Sequence, residues 1–202
     1  YIAQHLREQG GSSVLGLSRR GPGDLHADLC EPNDLDHLKQ SLFGITHLVY
    51  AAFAGDGASE WAALTAVNTQ MFRTIIDAVE CHAPHLKRVV LVQGQKYYGT
   101  HLGPFKTPAR ESDPRHAGEN FYFNQQDLLA ERSEQGPWDY VCLRPHILCG
   151  LNLRAPQNPI AVLSRYAMLM KLSGQALHWP GDPRAFDKLC QATDARLLGE
   201  AA

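Results

Sequence analysis

The chain has 202 residues, 44% of them hydrophobic and 20% charged, with a formal net charge of −2. This is ordinary globular composition. A near-neutral balance argues against non-specific nucleic-acid binding, which needs a clustered basic surface, and no run of about 18 apolar residues is present to span a membrane.

Ten histidines are scattered without metal-ligand spacing such as HExxH. Five cysteines (Cys30, Cys81, Cys142, Cys149 and Cys190) form no CxxC and sit mostly in apolar contexts. They read as reduced thiols, which predicts a cytoplasmic protein without disulfides or bound metal.

Residues 1–9, YIAQHLREQ, read as a helix stopped by Gly10-Gly11. SVLGLSRR (13–20) reads as a strand ending in two arginines. Helix, strand, then basic residues is the second half of a nucleotide-binding βαβ unit, whose first strand and glycine-rich turn would precede it. That turn is not in the chain, so the sequence reads as a piece of a longer protein. PNDLDHLKQSLF (32–43) is a short helix with Asn33 as its expected N-cap and Leu35, Leu38 and Leu42 on one face. THLVYAAFA (46–54) is a strand running into small residues, and 59–82 is a long amphipathic helix with Leu64, Val67, Met71, Ile75 and Val79 in 3–4 spacing. HLKRVVLVQ (85–93) is the next strand, 94–119 a loop rich in Gly, Pro and charge, and 120–135 a helix stopped by Gly136-Pro137. DYVCLRPHILCG (139–150) is a further strand, 158–173 a further helix, and DARLLGEAA the start of another.

Strands read as unbroken apolar runs alternating with helices, which implies an α/β fold: a Rossmann-like, doubly wound parallel sheet lacking its first strand and glycine-rich loop. The expected division is a nucleotide-binding domain over 1–150 and the beginning of a substrate-binding region over 151–202.

In such a sheet a ligand sits beyond the carboxyl ends of the strands, so the residues following each strand carry the chemistry. Ser18, Arg19 and Arg20 come first. A carboxylate here would bond a ribose 2′-hydroxyl, whereas guanidinium offers a bidentate fork to a 2′-phosphate, favouring NADP over NAD. A solvated basic loop is the plain alternative. Asp28, after a short strand, could accept from an adenine amino group with Leu29 packed on the base, or could simply hold a turn. Ala51 and Ala52 would let the backbone approach a cofactor and Phe53 could wall its nicotinamide side, with core packing competing. Asn68, polar in mid-helix, either faces solvent or braces an active-site loop.

The stretch QGQKYYG places Lys96 just past a buried strand, and Tyr122 begins a helix. Common short-chain dehydrogenases pair a Tyr with a Lys four residues on, so that the ammonium lowers the phenol pKa. Four residues after Tyr1, Tyr50, Tyr97, Tyr98, Tyr122, Tyr140 and Tyr166 stand His5, Ala54, His101, Leu102, Gln126, Arg144 and Met170. None is Lys. If Tyr122 acts, its cation comes from another element, and Lys96 is the obvious supplier.

VQGQKYYG followed by GPF, then NFYFNQQD, LRPHILCG, a WPG segment and a final DAR resemble the progesterone 5β-reductase/iridoid synthase-like enone reductases, an atypical branch of the extended short-chain dehydrogenases. The resemblance spans nearly the whole chain in order. It implies that Lys96 and Tyr122 act together as catalytic residues. The implied reaction is NADPH-dependent reduction of the C=C bond of an enone or enal, with Tyr and Lys stabilising the enolate oxygen. Its partner would be a small apolar carbonyl compound, possible in a homodimer. Gln93, beside the lysine loop, and Pro145 and Ile147, where the strand crosses toward the substrate side, join the implied cofactor-binding positions. Arg144 could serve the site or a structural salt bridge. Phe105, Met168 and Trp179 could wall an apolar pocket.

Two residues depart from the family pattern. Its second motif tyrosine is Phe123 here, and its Glu is Gln126, while Asp127 remains. Two other readings stay open. A nucleotide-sugar epimerase or dehydratase would want the missing YxxxK pair. A non-catalytic NADP-binding sensor would tolerate loss of Tyr122 and Lys96, both of which are present.

Overall fold

The computed structural model describes residues 1–21, 23–55, 61–150 and 158–202. The chain divides into two compact units, one formed by Ser13–Arg144 and the other by Tyr1–Ser12 with Pro145–Ala201.

The larger unit is built on three parallel strands, β1 (His47–Tyr50), β2 (Arg88–Val92) and β3 (Asp139–Leu143), in the order β1-β2-β3. In the central strand Val89, Val90 and Leu91 are all buried, although successive side chains point to opposite faces. Both faces of the sheet are therefore covered, as the unbroken apolar run predicts. Arg88 lies directly across from Asp139 in register and grips it with two hydrogen bonds of 2.6 and 2.7 Å at the open end of the ladder.

Helix α1 (Trp61–His82) supplies the main cover. Leu64 is buried along one stripe with Met71, Phe72, Ile75, Ile76 and Val79, the last five within a core shared with Tyr50, Val89, Leu91, Leu128, Leu129 and Trp138. Helix α2 (Phe121–Gln135) packs on α1. Arg132 fastens the two, donating to Glu80 and Asp77 at 2.8 Å each. Positions 59 and 60, where the sequence places the start of α1, lie outside the described residues, as do 151–157.

Three expectations change. The strand expected over 13–20 is confined to β4 (Leu17–Ser18), paired in parallel with β5 (Leu25–His26). Outside it, the Gly16 amide turns to the Asp24 carboxylate at 2.7 Å and the Gly16 carbonyl accepts from Asp24 and Leu25. The segment 32–43 is a 3-10 helix over Pro32–Leu38 that only then becomes α-helical at Lys39–Leu42, and Asn33 is not its cap; Glu31 holds that place without a side-chain bond. Leu35, Leu38 and Leu42 are nonetheless all buried. The strand expected over 139–150 is two strands. Pro145 interrupts the ladder because it has no N–H to give, and β6 (Ile147–Cys149) resumes in the smaller unit.

In that unit β6 pairs with β7 (Ala192–Asp194), a strand the sequence reading missed. Helix α3 (Ile2–Gln9) packs against α4 (Ala195–Ala201), with Gly199 admitting the His5 side chain. The approach is tight: a Cβ there would stand 3.0 Å from that of His5, so a larger residue would need the neighbouring side chain to give way. Helix α5 (Pro159–Leu172) is capped by Asn158, whose carboxamide oxygen accepts from the Ile160 amide at 3.1 Å. Only Ala161 of this helix is buried. Among the described residues no helix is long and apolar enough to cross a membrane.

Candidate active site at the carboxyl end of the central strand

The central strand ends at Val92, and the chain turns through Gly94 into a 3-10 turn, Gln95–Tyr98, that carries Lys96. Gly99 closes this turn at φ 83°, a left-handed conformation that suits glycine, with its amide bonded to the Lys96 carbonyl. Tyr122 sits in the first turn of α2. The helix starts where it does because Asn120 is its N-cap: the Asn120 Oδ1 accepts from the Tyr122 amide at 3.0 Å.

Asn120 does more than cap. It is fully buried, and its Nδ2 donates to the Lys96 carbonyl at 3.0 Å and to His116 Nε2 at 3.1 Å. One side chain thus joins the backbone of Lys96 to that of Tyr122. The contact also fixes the His116 tautomer: Nε2 accepts, so Nδ1 carries the proton and donates it to the Ala117 carbonyl at 2.9 Å.

A second amide acts from below. Gln93 is buried just past the strand; its Nε2 donates to the Tyr122 carbonyl at 2.7 Å, and its Oε1 accepts from Arg144 Nε at 3.0 Å. Arg144 also donates to the Tyr98 hydroxyl at 3.3 Å and to Gln126 Oε1 at 2.9 Å, with its guanidinium 3.7 Å from the Tyr97 ring centre. The salt bridge expected as its plain alternative is not what Arg144 makes. Among the described residues its partners are neutral amides, a phenol and a ring face.

Around the Lys96 ammonium the surface is aromatic. Its Nζ lies 5.0 Å from the Trp61 ring centre. The Trp61 indole N–H donates to the Glu119 carbonyl at 2.7 Å. Phe121 stands 5.5 Å from Trp61, 6.0 Å from Phe53 and 4.3 Å from Tyr122, ring centre to ring centre. Phe53 is 58% exposed, so this wall has an open apolar face. Burial raises the Tyr122 pKa above its ordinary value. The phenol is therefore held as a neutral donor, suited to giving a hydrogen bond to a developing oxyanion rather than to acting as a phenolate base.

The end of β1 is held by Asn68. This side chain is fully buried; it accepts from the Ala54 amide at 2.9 Å and donates to the Ala54 and Leu64 carbonyls at 2.8 and 2.9 Å. Of its two readings, the solvent-facing one is excluded: Asn68 braces the segment that follows β1. Beside it Ala51 and Ala52 are exposed and present only methyl groups.

Ser18 ends β4, and Arg19 and Arg20 follow it. Arg20 is exposed, Ser18 Oγ reaches the Gly21 carbonyl at 3.4 Å, and Arg19 meets Asp28 at 3.6 Å. Asp28 is a turn residue here: its Oδ1 accepts from the Cys30 amide at 2.9 Å, and that bond is the main cause of its lowered pKa. Leu29 is buried in the core. Pro145, buried, and Ile147, half-buried in β6, belong to the smaller unit. Phe105, Met168 and Trp179 are all exposed.

Arg115 escaped the sequence reading. It forks onto Asp127 at 2.8 and 2.6 Å, lies 4.8 Å from the Phe123 ring centre and reaches the Tyr97 hydroxyl at 3.3 Å. The aromatic face of Phe123, in place of the family tyrosine, thus stacks under a guanidinium. No group of three or more His, Cys, Asp or Glu side chains able to hold a metal ion occurs among the described residues.

The sequence profile of the PRISE-like Rossmann-fold domain matches residues 23–174. The chain is 30% identical over 208 residues to a 3-oxo-Delta(4,5)-steroid 5-beta-reductase of Arabidopsis thaliana, covering 93% of this chain and 52% of that protein. It is 32% identical over 192 residues to an (S)-8-oxocitronellyl enol synthase of Antirrhinum majus, covering 91% and 48%. The chain thus spans about half the length of the curated relatives it matches. Among solved structures, the yeast methylglyoxal/isovaleraldehyde reductase Gre2 complexed with NADPH superposes with a TM-score of 0.64 at 15% identity, over 100% of this chain and 70% of that one, a likeness of fold.

Proposed function

The chain belongs to the PRISE-like Rossmann-fold family, and on that premise we propose that its protein reduces the C=C bond of an α,β-unsaturated carbonyl compound with NADPH. The observation that carries this reading is the Asn120 bridge, which ties the Lys96 turn to the first turn of the Tyr122 helix without a YxxxK motif. Two relatives bear names of enone-type chemistry, a steroid 5-beta-reductase and an oxocitronellyl enol synthase.

The residues present are compatible with the 2′-phosphate and nicotinamide ends of the dinucleotide. Exposed Arg20 and Arg19, the latter on an exposed 3.6 Å pair with Asp28, would meet a 2′-phosphate. Exposed Ala51 and Ala52 offer no bulk against close approach, and Phe53 would flank the nicotinamide side. Gln93 and Leu29 are occupied inside the unit, so their part would be to shape the site rather than to touch the cofactor. When bound, NADPH supplies a hydride to the β-carbon. Tyr122, whose pKa burial raises further, donates a hydrogen bond to the carbonyl oxygen, and the Lys96 ammonium adds positive charge as the enolate forms; a proton from solvent then adds to the α-carbon, so that hydride and proton together saturate the C=C bond. The open apolar face of Phe53, backed by Trp61 and the buried Phe121, would receive the apolar part of the substrate.

The test is NADPH consumption by the intact protein with a small enone. Lys96→Ala and Tyr122→Phe should each lower kcat by about 100-fold or more, the usual loss of one oxyanion donor. Wild-type rates in both variants would refute the assignment. Tight NADPH binding with no turnover across an enone panel would favour a cofactor sensor.

A further inference from the structure

In enzymes with a YxxxK pair, one helix sets the spacing of tyrosine and lysine. Here the two residues ride on different elements, the 3-10 turn after β2 and the helix α2. Something must hold these elements in register. Asn120 does so locally, but its bonds reach only the main chain of each residue.

We propose that Arg144 is a positioning residue for the Tyr122–Lys96 pair, a clamp that substitutes for the missing shared helix. This rests on the reading of those two residues as the catalytic pair. The geometry is specific. Arg144 Nε fixes the Gln93 carboxamide, since a carbonyl oxygen must face the guanidinium, and this leaves the Gln93 N–H₂ facing the Tyr122 carbonyl. A second arm takes Gln126, on the next turn of α2 from Tyr122. A third takes the Tyr98 hydroxyl, while the plane of the guanidinium lies on the Tyr97 ring, and both tyrosines belong to the turn that carries Lys96. One planar cation therefore touches both catalytic elements, twice each, directly or through one amide. Only arginine combines a fork of fixed geometry with a flat face for stacking.

The clamp is also rooted. Arg144 directly follows β3, and the amide of Gln93 donates to the Leu143 carbonyl at 2.8 Å. The cation is thus anchored to the sheet rather than to a mobile loop.

A double-mutant cycle in the intact protein tests the assignment, with kcat read at saturating NADPH and enone. Arg144→Met should lower kcat by about 10- to 100-fold, the scale of a misplaced catalytic group. NADPH affinity should stay within about 3-fold. In a Tyr122→Phe background the same substitution should cost less than about 3-fold, because a residue that acts through Tyr122 has nothing left to position. Arg144→Lys, which keeps the charge and loses the fork, should stay near Arg144→Met. Gln126→Leu removes a single arm from a half-buried site and keeps the question answerable if Arg144→Met fails to fold; it should show a smaller loss with the same non-additivity. Equal fold-losses in both backgrounds, or wild-type kcat in Arg144→Met, would overturn the clamp alone. Wild-type kcat in both Tyr122→Phe and Lys96→Ala would instead bring down the functional reading beneath it.

Discussion

Asn68 gives a sharp stability test of how the end of β1 is held. Its side chain is fully buried and makes three hydrogen bonds, two of them to the peptide groups of Ala54. In Asn68→Ala the Leu64 carbonyl keeps its ordinary helical partner, so the new orphans are the Ala54 N–H and C=O. An orphaned, partly buried backbone group costs about 1–2 kcal/mol, so the pair should cost about 2–4 kcal/mol. For a chain of this size that corresponds to a fall in Tm of about 4–16 °C. Urea denaturation followed by circular dichroism measures the free energy directly. Asn68→Asp refines the test. A carboxylate can accept from the Ala54 amide but cannot donate to either carbonyl, and burial would raise its pKa above the unfolded value. The proton restores one donor, so stability is highest below the unfolded carboxyl pKa and is lost as pH rises through the folded one. The Asp variant should therefore regain part of its deficit relative to wild type between pH 7 and about pH 4. A change below about 0.5 kcal/mol in Asn68→Ala, or a deficit in Asn68→Asp that does not shrink on acidification, would refute the brace.

Two further outcomes follow from buried or crowded polar groups. The Tyr50 hydroxyl is buried without a hydrogen-bond partner among the described residues, and burial raises its pKa, while its ring packs edge-on against Phe72 at 4.7 Å. Tyr50→Phe keeps the packing and should raise unfolding free energy by about 0.5–1.5 kcal/mol; a loss of that size would reveal a bond to the hydroxyl. His101 is exposed but crowded, 4.8 Å from the Trp61 ring, and the partial loss of solvent there, followed by His116 and Lys96, holds its pKa below the ordinary imidazole range. The unfolded chain therefore takes up this proton first, so stability is full above about pH 6.5 and declines as pH falls through that value. His101→Gln should flatten this decline in a pH series of thermal melts, and an unchanged slope would refute it.

The apolar runs made the parallel sheet legible, because strands covered on both faces leave no polar alternation to misread. Lys96 and Tyr122 were legible as candidates by elimination, once no tyrosine had a lysine four residues on, and the proposed pairing of the two rests on that reading. Asn120 could have been found: asparagine before a helical run is a standard N-cap signal, though nothing local shows that its other end reaches Lys96, 24 residues back. Arg144 was seen, but its partners lie 51, 46 and 18 residues away, and no spacing rule encodes them. The break at Pro145 was written in the sequence and overridden by the apolar run on either side. The turn role of Asp28 and the burial of Leu29 depend on a short loop folding back on the core, where the sequence supported two readings equally.

The order of pairing in the sheet bears on how the protein comes into being. The central strand is flanked by partners some forty residues before it and fifty after it. Such non-local pairing closes slowly, and a chain emerging from the ribosome at about 5–20 residues per second cannot complete it until the third strand has appeared. Arg144 is the very next residue. The turn bearing Lys96 and the helix bearing Tyr122 are therefore synthesised before the cation that bridges them, and their mutual placement is completed only once the third strand docks.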